Sequence, residues 1–330
     1  LIFEFNRKNL LVFLLFLILT ILFYFHGFIY KEKFQKIVPK TYDYKIRAIG
    51  SNISLNRFYS DVDTISVMKD LIKISKPRSN EKTIFIWPEG ILPNITQEDL
   101  IEYSWLFEEN FSQNHLLIVG VNSQIVKNGS KDYYNSISVY DNKLNLLNSY
   151  NKINLVPFGE FLPFENFLKK IGLRSLTNNY QSFSRGDQRK VIEILQPYFK
   201  LKILPLICYE IIYSGKLFNN FDFDFIVNIS EDGWFGKSIG PKQHFSHTIL
   251  RAIESGKYII RSSNNGITGI INPLGNVEKS VSYSDSGFID LEEIRVIQPT
   301  IFSIYGNKIF GLLILLYILL IFSFKKIKYE

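Results

Sequence analysis

Between residues 10 and 30 the chain is almost wholly apolar, with Thr20, His26 and Gly27 as the only mild interruptions. A helix of about 20 such residues spans the roughly 30 Å hydrocarbon core of a bilayer, so this stretch is expected to be a transmembrane helix. A secretory signal peptide has a shorter apolar region and a small-residue cleavage site, and neither is visible around Phe25 to Tyr30. A second apolar segment, Ile309 to Phe324, is followed by Lys325, Lys326 and Lys328. It can span if Ile301 to Tyr305 or local thinning of the bilayer helps. Two spans put both termini on one side and everything between them on the other. The lysine tail and the Arg7-Lys8 pair place the termini in the cytoplasm, whereas Lys31, Lys33 and Lys36 argue the reverse. Long translocated domains follow loop charges weakly, and an extracytoplasmic middle is the preferred reading. The first residue is Leu1 rather than Met, which suggests that an upstream part of a longer protein precedes it.

The rest of the chain is an ordinary globular sequence. Apolar residues make up 46% of the 330, enough for one large core or two modest ones. Lys and Arg exceed Asp and Glu by 38 to 31, and much of the excess lies beside the two apolar segments. Membrane surface is therefore a better partner than nucleic acid, for which no basic stripe with interleaved aromatics stands out. One cysteine excludes an internal disulfide and any multi-cysteine metal site. We divide the chain into residues 1–40 (transmembrane helix and linker), 41–300 (a folded domain) and 301–330 (a second transmembrane helix with a basic tail). In the middle, short apolar runs read as strands at 45–50, 83–87, 116–121, 136–140, 201–207, 224–229, 258–262 and 266–271. Helical spacing separates them at 55–75, 97–114 and 243–255, giving an α/β layered domain. Asn142-Lys143 and Pro273-Leu274-Gly275-Asn276 read as turns between antiparallel strands.

The run Ile203 to Tyr213 breaks at Cys208 and is followed at once by Glu210, with Tyr209 between. It reads as a buried strand with the thiol at its end. A lone cysteine often packs as a small inert hydrophobe. A carboxylate in an apolar strand, however, needs a partner. Glu89 closes Ile84 to Glu89, and Lys152 follows Tyr150-Asn151, so three polar residues stand at strand ends. Together they can divide acyl transfer: a thiolate nucleophile, a carboxylate that takes its proton, and an ammonium that stabilises the oxyanion. Singly, Glu89 reads equally as a turn cap and Lys152 as a solvated strand-end lysine. Spacing alone does not bring them together.

Four blocks carry a resemblance. They are Trp87-Pro88-Glu89; Asn151-Lys152 with Leu155 to Pro163; Ile207-Cys208-Tyr209-Glu210; and Trp234-Phe235-Gly236 with Gly240-Pro241 and Gln243-His244. In this order they resemble the signature of the nitrilase, or carbon-nitrogen hydrolase, superfamily, and the phrase Leu155 to Pro163 resembles the apolipoprotein N-acyltransferase family within it. The resemblance covers essentially the whole middle domain, including Arg251 to Gly256 and Asn264 to Ile267. It implies an αββα nitrilase-like sandwich flanked by two transmembrane helices, on the periplasmic side of the bacterial inner membrane. It implies Glu89 as general base, Lys152 as stabiliser of the tetrahedral intermediate and Cys208 as nucleophile. Glu160 and Glu210 match further active-site carboxylates, Tyr209 lies between nucleophile and carboxylate, and Trp234 and Phe235 match a loop that helps admit substrate. The implied reaction moves an acyl chain from a phospholipid, through a Cys208 thioester, to the amine of a diacylglyceryl-cysteine lipoprotein, with no cofactor. A membrane-tethered amidase and a catalytically idle lipid-binding domain are the other readings.

The sequence departs from that family in two loops. Gly90-Ile91 follows Glu89 where a small hydroxyl residue or Ala is usual, and Ser230-Glu231-Asp232-Gly233 stands where Ser-Asn-Asp-Ala is usual. Both glycines are expected to loosen the backbone. The several N-terminal transmembrane helices of the family are also missing. His244 and His247 are spaced for one face of a helix but lack a third ligand, so no metal site is expected. Asn94, Asn110 and Asn128 fit the glycosylation pattern, a weak signal. Phe164, Phe167, Leu168 and Ile171 define one apolar face of a short helix flanked by Lys169, Lys170 and Arg174. That face reads either as an interfacial segment delivering lipid or as domain core.

Overall fold

The computed structural model describes residues 7–59, 63–92, 94–127, 129–163, 182–215, 217 and 220–327. The expected apolar face at 164–171 lies outside them. Two six-stranded sheets form the centre. The first runs β12 (Gly287–Ile294), β1 (Lys40–Gly50), β2 (Thr83–Ile86), β3 (His115–Lys127), β4 (Ser130–Asp141), β5 (Leu146–Asn151). The second runs β11 (Val277–Val281), β10 (Thr268–Ile271), β9 (Tyr258–Asn264), β8 (Phe225–Glu231), β7 (Phe199–Ile207), β6 (Ile192–Gln196). The middle of each sheet is parallel, β1-β2-β3 and β7-β8-β9, and the outer strands are antiparallel.

The period-2 alternation of strands decides the layers. Ile46, Ala48, Ile84, Ile86 and Ile118 face Ile203, Phe225, Val227, Ile229 and Ile260 of the other sheet in one buried cluster. The residues between them face outward. Phe85, Trp87 and Leu117 pack under helices α2 (Thr64–Ser75) and α3 (Ser104–Asn110) through Met68, Leu71, Leu106 and Phe107. On the opposite side Leu204, Leu206, Ile226 and Ile259 pack under helix α4 (Gly240–Ser255) through Phe245 and Ala252. Central strands buried on both faces explain why their sequences are continuous apolar runs. The order is helix, sheet, sheet, helix, as expected.

Helix α1 (Arg7–Lys36) exposes its apolar residues from Leu10 to Ile29, and its stretch Leu10–Lys36 is long and apolar enough to cross a membrane. Its far end is built into the domain: Phe34 is buried in the inter-sheet cluster, and the Tyr30 hydroxyl donates to the Gln298 carbonyl at 3.0 Å. The same strip of chain, after β12, leads through the short helix α5 (Ile301–Tyr305) to helix α6 (Lys308–Ile327). Among the described residues the apolar part of α6 is Lys308–Leu319, shorter than a full span.

Candidate active site

Parallel strands put their carboxyl ends at one edge of the sandwich, the place where open α/β sheets bind ligands. Glu89 lies just past β2, Cys208 is the first residue after β7, and Lys152 is the first after β5. Close approach is built in at Gly120 of β3, where a Cβ would stand 2.4 Å from the Pro88 carbonyl oxygen and 2.5 Å from Glu89 Cα. Glycine there lets the Glu89 turn lie directly on β3. Gly90 has φ +51°, so the left-handed turn after Glu89 needs a glycine rather than being loosened by one.

Lys152 is 1% exposed, and its ammonium reaches Glu89 Oε1 at 3.1 Å and Glu160 Oε1 at 2.9 Å. Burial works against its charge, but the carboxylates of Glu160 and Glu89 more than offset it and hold its pKa well above the usual lysine value. An ammonium has three donors, and two are committed among the described residues. The same two carboxylate oxygens accept from Asn135 Nδ2, each at 2.7 Å. Asn135 therefore closes a four-membered cluster with Glu89, Lys152 and Glu160, and its own carbonyl accepts the Lys152 N–H at 2.8 Å. The remaining carboxylate oxygens are fixed by backbone: Glu89 Oε2 accepts from Glu231 N–H at 2.9 Å and Glu160 Oε2 from Val156 N–H at 2.8 Å.

Cys208 is half-buried and has φ +47°, a left-handed conformation that costs a non-glycine residue on the order of 1 kcal/mol. The turn is held by His244, whose Nδ1 lies 2.9 Å from Asp232 Oδ1 and whose Nε2 lies 3.2 Å from the Cys208 carbonyl. His244 thus serves the turn that carries the thiol. Burial pushes the Cys208 pKa well above the usual thiol range, and the Glu89 charge pushes it further. Lys152 offsets only part of that. The raised pKa favours the thiol over the thiolate, and a neighbouring carboxylate is the kind of group that can take a thiol proton.

Glu210 has a different place. It is fully buried, and its Oε1 accepts from the Tyr150 hydroxyl at 2.8 Å, the Ile153 N–H at 3.0 Å and Arg189 Nη2 at 3.0 Å. Its Oε2 accepts from the Ile207 N–H at 2.9 Å. One carboxylate therefore ties the Tyr150 hydroxyl before Lys152 and the backbone N–H groups of Ile153 and Asn154 after it to the strand end that carries Cys208. Tyr209 is half-buried, its ring 5.6 Å from that of Tyr213. Trp234 and Phe235 form an exposed turn after β8; Trp234 stacks on Phe58 at 5.3 Å and Phe235 meets His244 edge-on at 5.5 Å.

Sequence reasoning missed Asn135, Arg57 and Arg261. Arg57 is buried and pairs with Glu231, which also accepts from Asn264 Nδ2 at 2.6 Å. Arg261 donates to both oxygens of Asp232, at 2.9 and 2.8 Å. Burial opposes ionisation of Asp232, but Arg261 and His244 more than offset it and hold the carboxyl well below its ordinary range. Asn135 lies one residue before the expected strand at 136–140, because β4 begins at Ser130 in a polar stretch that no apolar run marks.

This arrangement, a buried carboxylate and ammonium with a half-buried thiol at the carboxyl ends of strands in a four-layer sandwich, defines the class. The carbon-nitrogen hydrolase family model matches residues 73–299, and the chain belongs to that family. Within it, the chain is 33% identical over 287 residues to the apolipoprotein N-acyltransferase of Bradyrhizobium diazoefficiens, covering 84% of this chain and 53% of that protein. It is 37% identical over 228 residues to the apolipoprotein N-acyltransferase of Rickettsia prowazekii, covering 68% of this chain and 44% of that one. The chain spans about half the length of the curated relatives it matches. Among solved structures, a CN-hydrolase superfamily protein from Xanthomonas campestris superposes with TM-score 0.52 at 14% identity, covering 76% of this chain and 91% of that one. A mutant amidase of Nesterenkonia sp. AN1 gives TM-score 0.51 at 12% identity, covering 77% of this chain and 93% of that one. These two structures share the fold.

Proposed function

We propose that the chain is the catalytic part of a membrane N-acyltransferase, in which Cys208 carries an acyl chain from a phospholipid to the N-terminal amine of a diacylglyceryl-cysteine lipoprotein. The observation that carries the reading is the Lys152 ammonium held between Glu89 and Glu160 with one donor uncommitted among the described residues, in the cluster at the strand ends where Cys208 stands. In the first half-reaction Glu89 accepts the thiol proton while sulfur attacks the ester carbonyl. Lys152 donates to the oxyanion as the C–S bond forms. Collapse breaks the ester C–O bond, Glu89 returns the proton to the leaving alkoxide, and a lysophospholipid departs. In the second, the amine attacks the thioester carbonyl and gives its proton to Glu89; the C–N bond forms, the C–S bond breaks, and the thiol is restored. Glu160 fixes Lys152, Glu210 and Tyr209 hold the turn around Cys208, and the exposed Trp234 and Phe235 meet the incoming substrate. In this reading α1 and α6 anchor residues 41–300 to the inner membrane with the domain on the periplasmic side, and no cofactor takes part.

The homologues named apolipoprotein N-acyltransferase and the apolar exposed helix α1 support a lipid substrate over a soluble amide. Intact mass tests the reading directly. Incubated with phospholipid and no amine, the protein gains one acyl mass that hydroxylamine removes, and Cys208→Ala gains none. Release of free fatty acid or ammonia without a trapped adduct assigns the chain to hydrolysis instead.

A further inference from the structure

A cavity of about 410 Å³ lies beside the cluster, within the range of roughly 300–1,000 Å³ typical of small-molecule sites. Its walls come from the immediate neighbours of the site residues: Ile153 follows Lys152, Phe161 follows Glu160, and Tyr213 packs on Tyr209. Leu155 and Phe183 complete an apolar lining. Two polar residues interrupt it. Asn154 has its Oδ1 fixed by Arg189 Nη2 at 2.7 Å, which leaves its amide N–H groups without a partner among the described residues. Arg185 is exposed and forms no ion pair among the described residues. The next residue, Gly186, donates its N–H to the Lys152 carbonyl at 2.8 Å, so the Arg185 backbone is tied to the catalytic loop.

An apolar pocket with a guanidinium at its edge that pairs with no carboxylate among the described residues suits an amphiphile that carries an anion a few bonds from its reacting ester. We infer that this cavity seats the glycerol-phosphate end of the acyl donor, with Arg185 and the Asn154 amide donating to the phosphodiester oxygens and the apolar walls meeting the adjoining methylenes. The inference rests on the acyltransferase reading above. Guanidinium groups match the geometry of phosphate oxygens. The acceptor, a diacylglyceryl thioether, has no phosphate, so a phosphate-reading arginine belongs to the donor half-reaction.

The test compares two donors with identical acyl chains, phosphatidylglycerol and diacylglycerol, presented to the full chain in mixed micelles. Thioester on Cys208 is followed by intact mass. Wild type reacts faster with the phospholipid. Arg185→Ala loses roughly five- to tenfold on phosphatidylglycerol, in KM rather than in the maximal rate, and stays within about twofold on diacylglycerol. Arg185→Lys retains part of the preference. Equal losses on both donors, or no loss on the phospholipid, overturn the inference while leaving the acyltransferase reading intact. A wild type that forms thioester from neither donor overturns both. Free glycerol 3-phosphate distinguishes the source of the phosphate: protection of the wild type as effective as that by the lipid marks a general anion site and overturns the donor assignment.

Discussion

Two buried polar clusters sit at the same end of the sandwich, and they are charged differently. Around Lys152 two carboxylates share one ammonium, with a neutral amide, Asn135, bridging them. Around β8's end, Glu231 and Asp232 face two guanidiniums, Arg57 and Arg261, with His244 as an additional partner. The second cluster is balanced in charge, and all its carboxylate oxygens are paired, with the Arg57 Nε–H its one unpaired donor among the described residues, so its carboxylates hold the loop that follows β8. The first is short of one positive charge and, among the described residues, keeps one lysine donor uncommitted, which is the opening the proposed mechanism uses. The two touch at one point, where the Glu231 N–H donates to Glu89 Oε2 at 2.9 Å. In the proposed mechanism the cluster with an open charge balance does the chemistry, and the one whose charges balance supplies rigidity.

The largest expected effects separate the clusters by what they cost. Glu89→Gln should lower thioester formation by about 10²–10⁴-fold, the range for loss of a positioned base, with the folded population retained. Arg57→Met should do the opposite. It strands Glu231 in the interior and is expected to cost about 3–5 kcal/mol of stability. The rate per folded molecule should stay within a few-fold. Denaturation curves alongside single-turnover rates check both. Comparable stability losses in the two variants would erase the distinction.

A smaller effect tests the open charge balance. Alkylation of Cys208 by iodoacetamide follows its thiolate fraction. Because the folded thiol is raised by burial and by Glu89, the wild-type rate should still be rising above about pH 8.5, the ordinary thiol midpoint. Glu89→Gln removes a raising charge and should move the profile to lower pH even as it removes acyl transfer. Lys152→Met removes the lowering charge and should move it to higher pH. A profile that is the same in all three proteins would show that the charges do not reach the thiol.

Much of this was legible beforehand because the central strands announce themselves. Runs such as Ile84 to Trp87 and Leu201 to Ile207 are buried on both faces, so apolar length alone marks them and places Glu89 and Cys208 at their ends. β5 and β11 were implied only by the turns before them, and β6 and β12 were not anticipated. They lie in the outer, antiparallel parts of the sheets; β11, for example, is exposed along almost its whole length, so no apolar run distinguishes it from a loop. The partners of the site residues were illegible for another reason. Arg57 meets Glu231 across 174 positions and Ser262 reaches the Ile49 and Ile86 carbonyls across the two sheets, contacts that only the topology creates. The two turns at Asn142-Lys143 and Pro273 to Asn276 were local and do join antiparallel strands, as read.

The loop after β8 carries the last and smallest prediction. Glu231 and Gly233 stand where Asn and Ala are usual in the resembling family, and Gly233 was expected to loosen the backbone. Its φ is not in the left-handed region, and the structure gives it a packing role instead. A Cβ at 233 would stand 2.7 Å from Glu231 Oε1, and 3.0 Å from both Asn265 Nδ2 and Leu55 Cγ. The longer acid at 231 occupies the space that a methyl group at 233 needs, so the two departures compensate each other. Gly233→Ala should therefore cost about 1–3 kcal/mol by overpacking in the native background. In the Glu231→Asn background, where the side chain is one methylene shorter, the same change should cost close to nothing, whatever Glu231→Asn itself costs by leaving Arg57 without its carboxylate. The coupling in this double-mutant cycle, read from denaturation midpoints, should exceed about 0.5 kcal/mol. Additive effects would mean that Gly233 is required by its backbone after all, and that the β8 loop is held by its conformation rather than by the balanced charges beneath it.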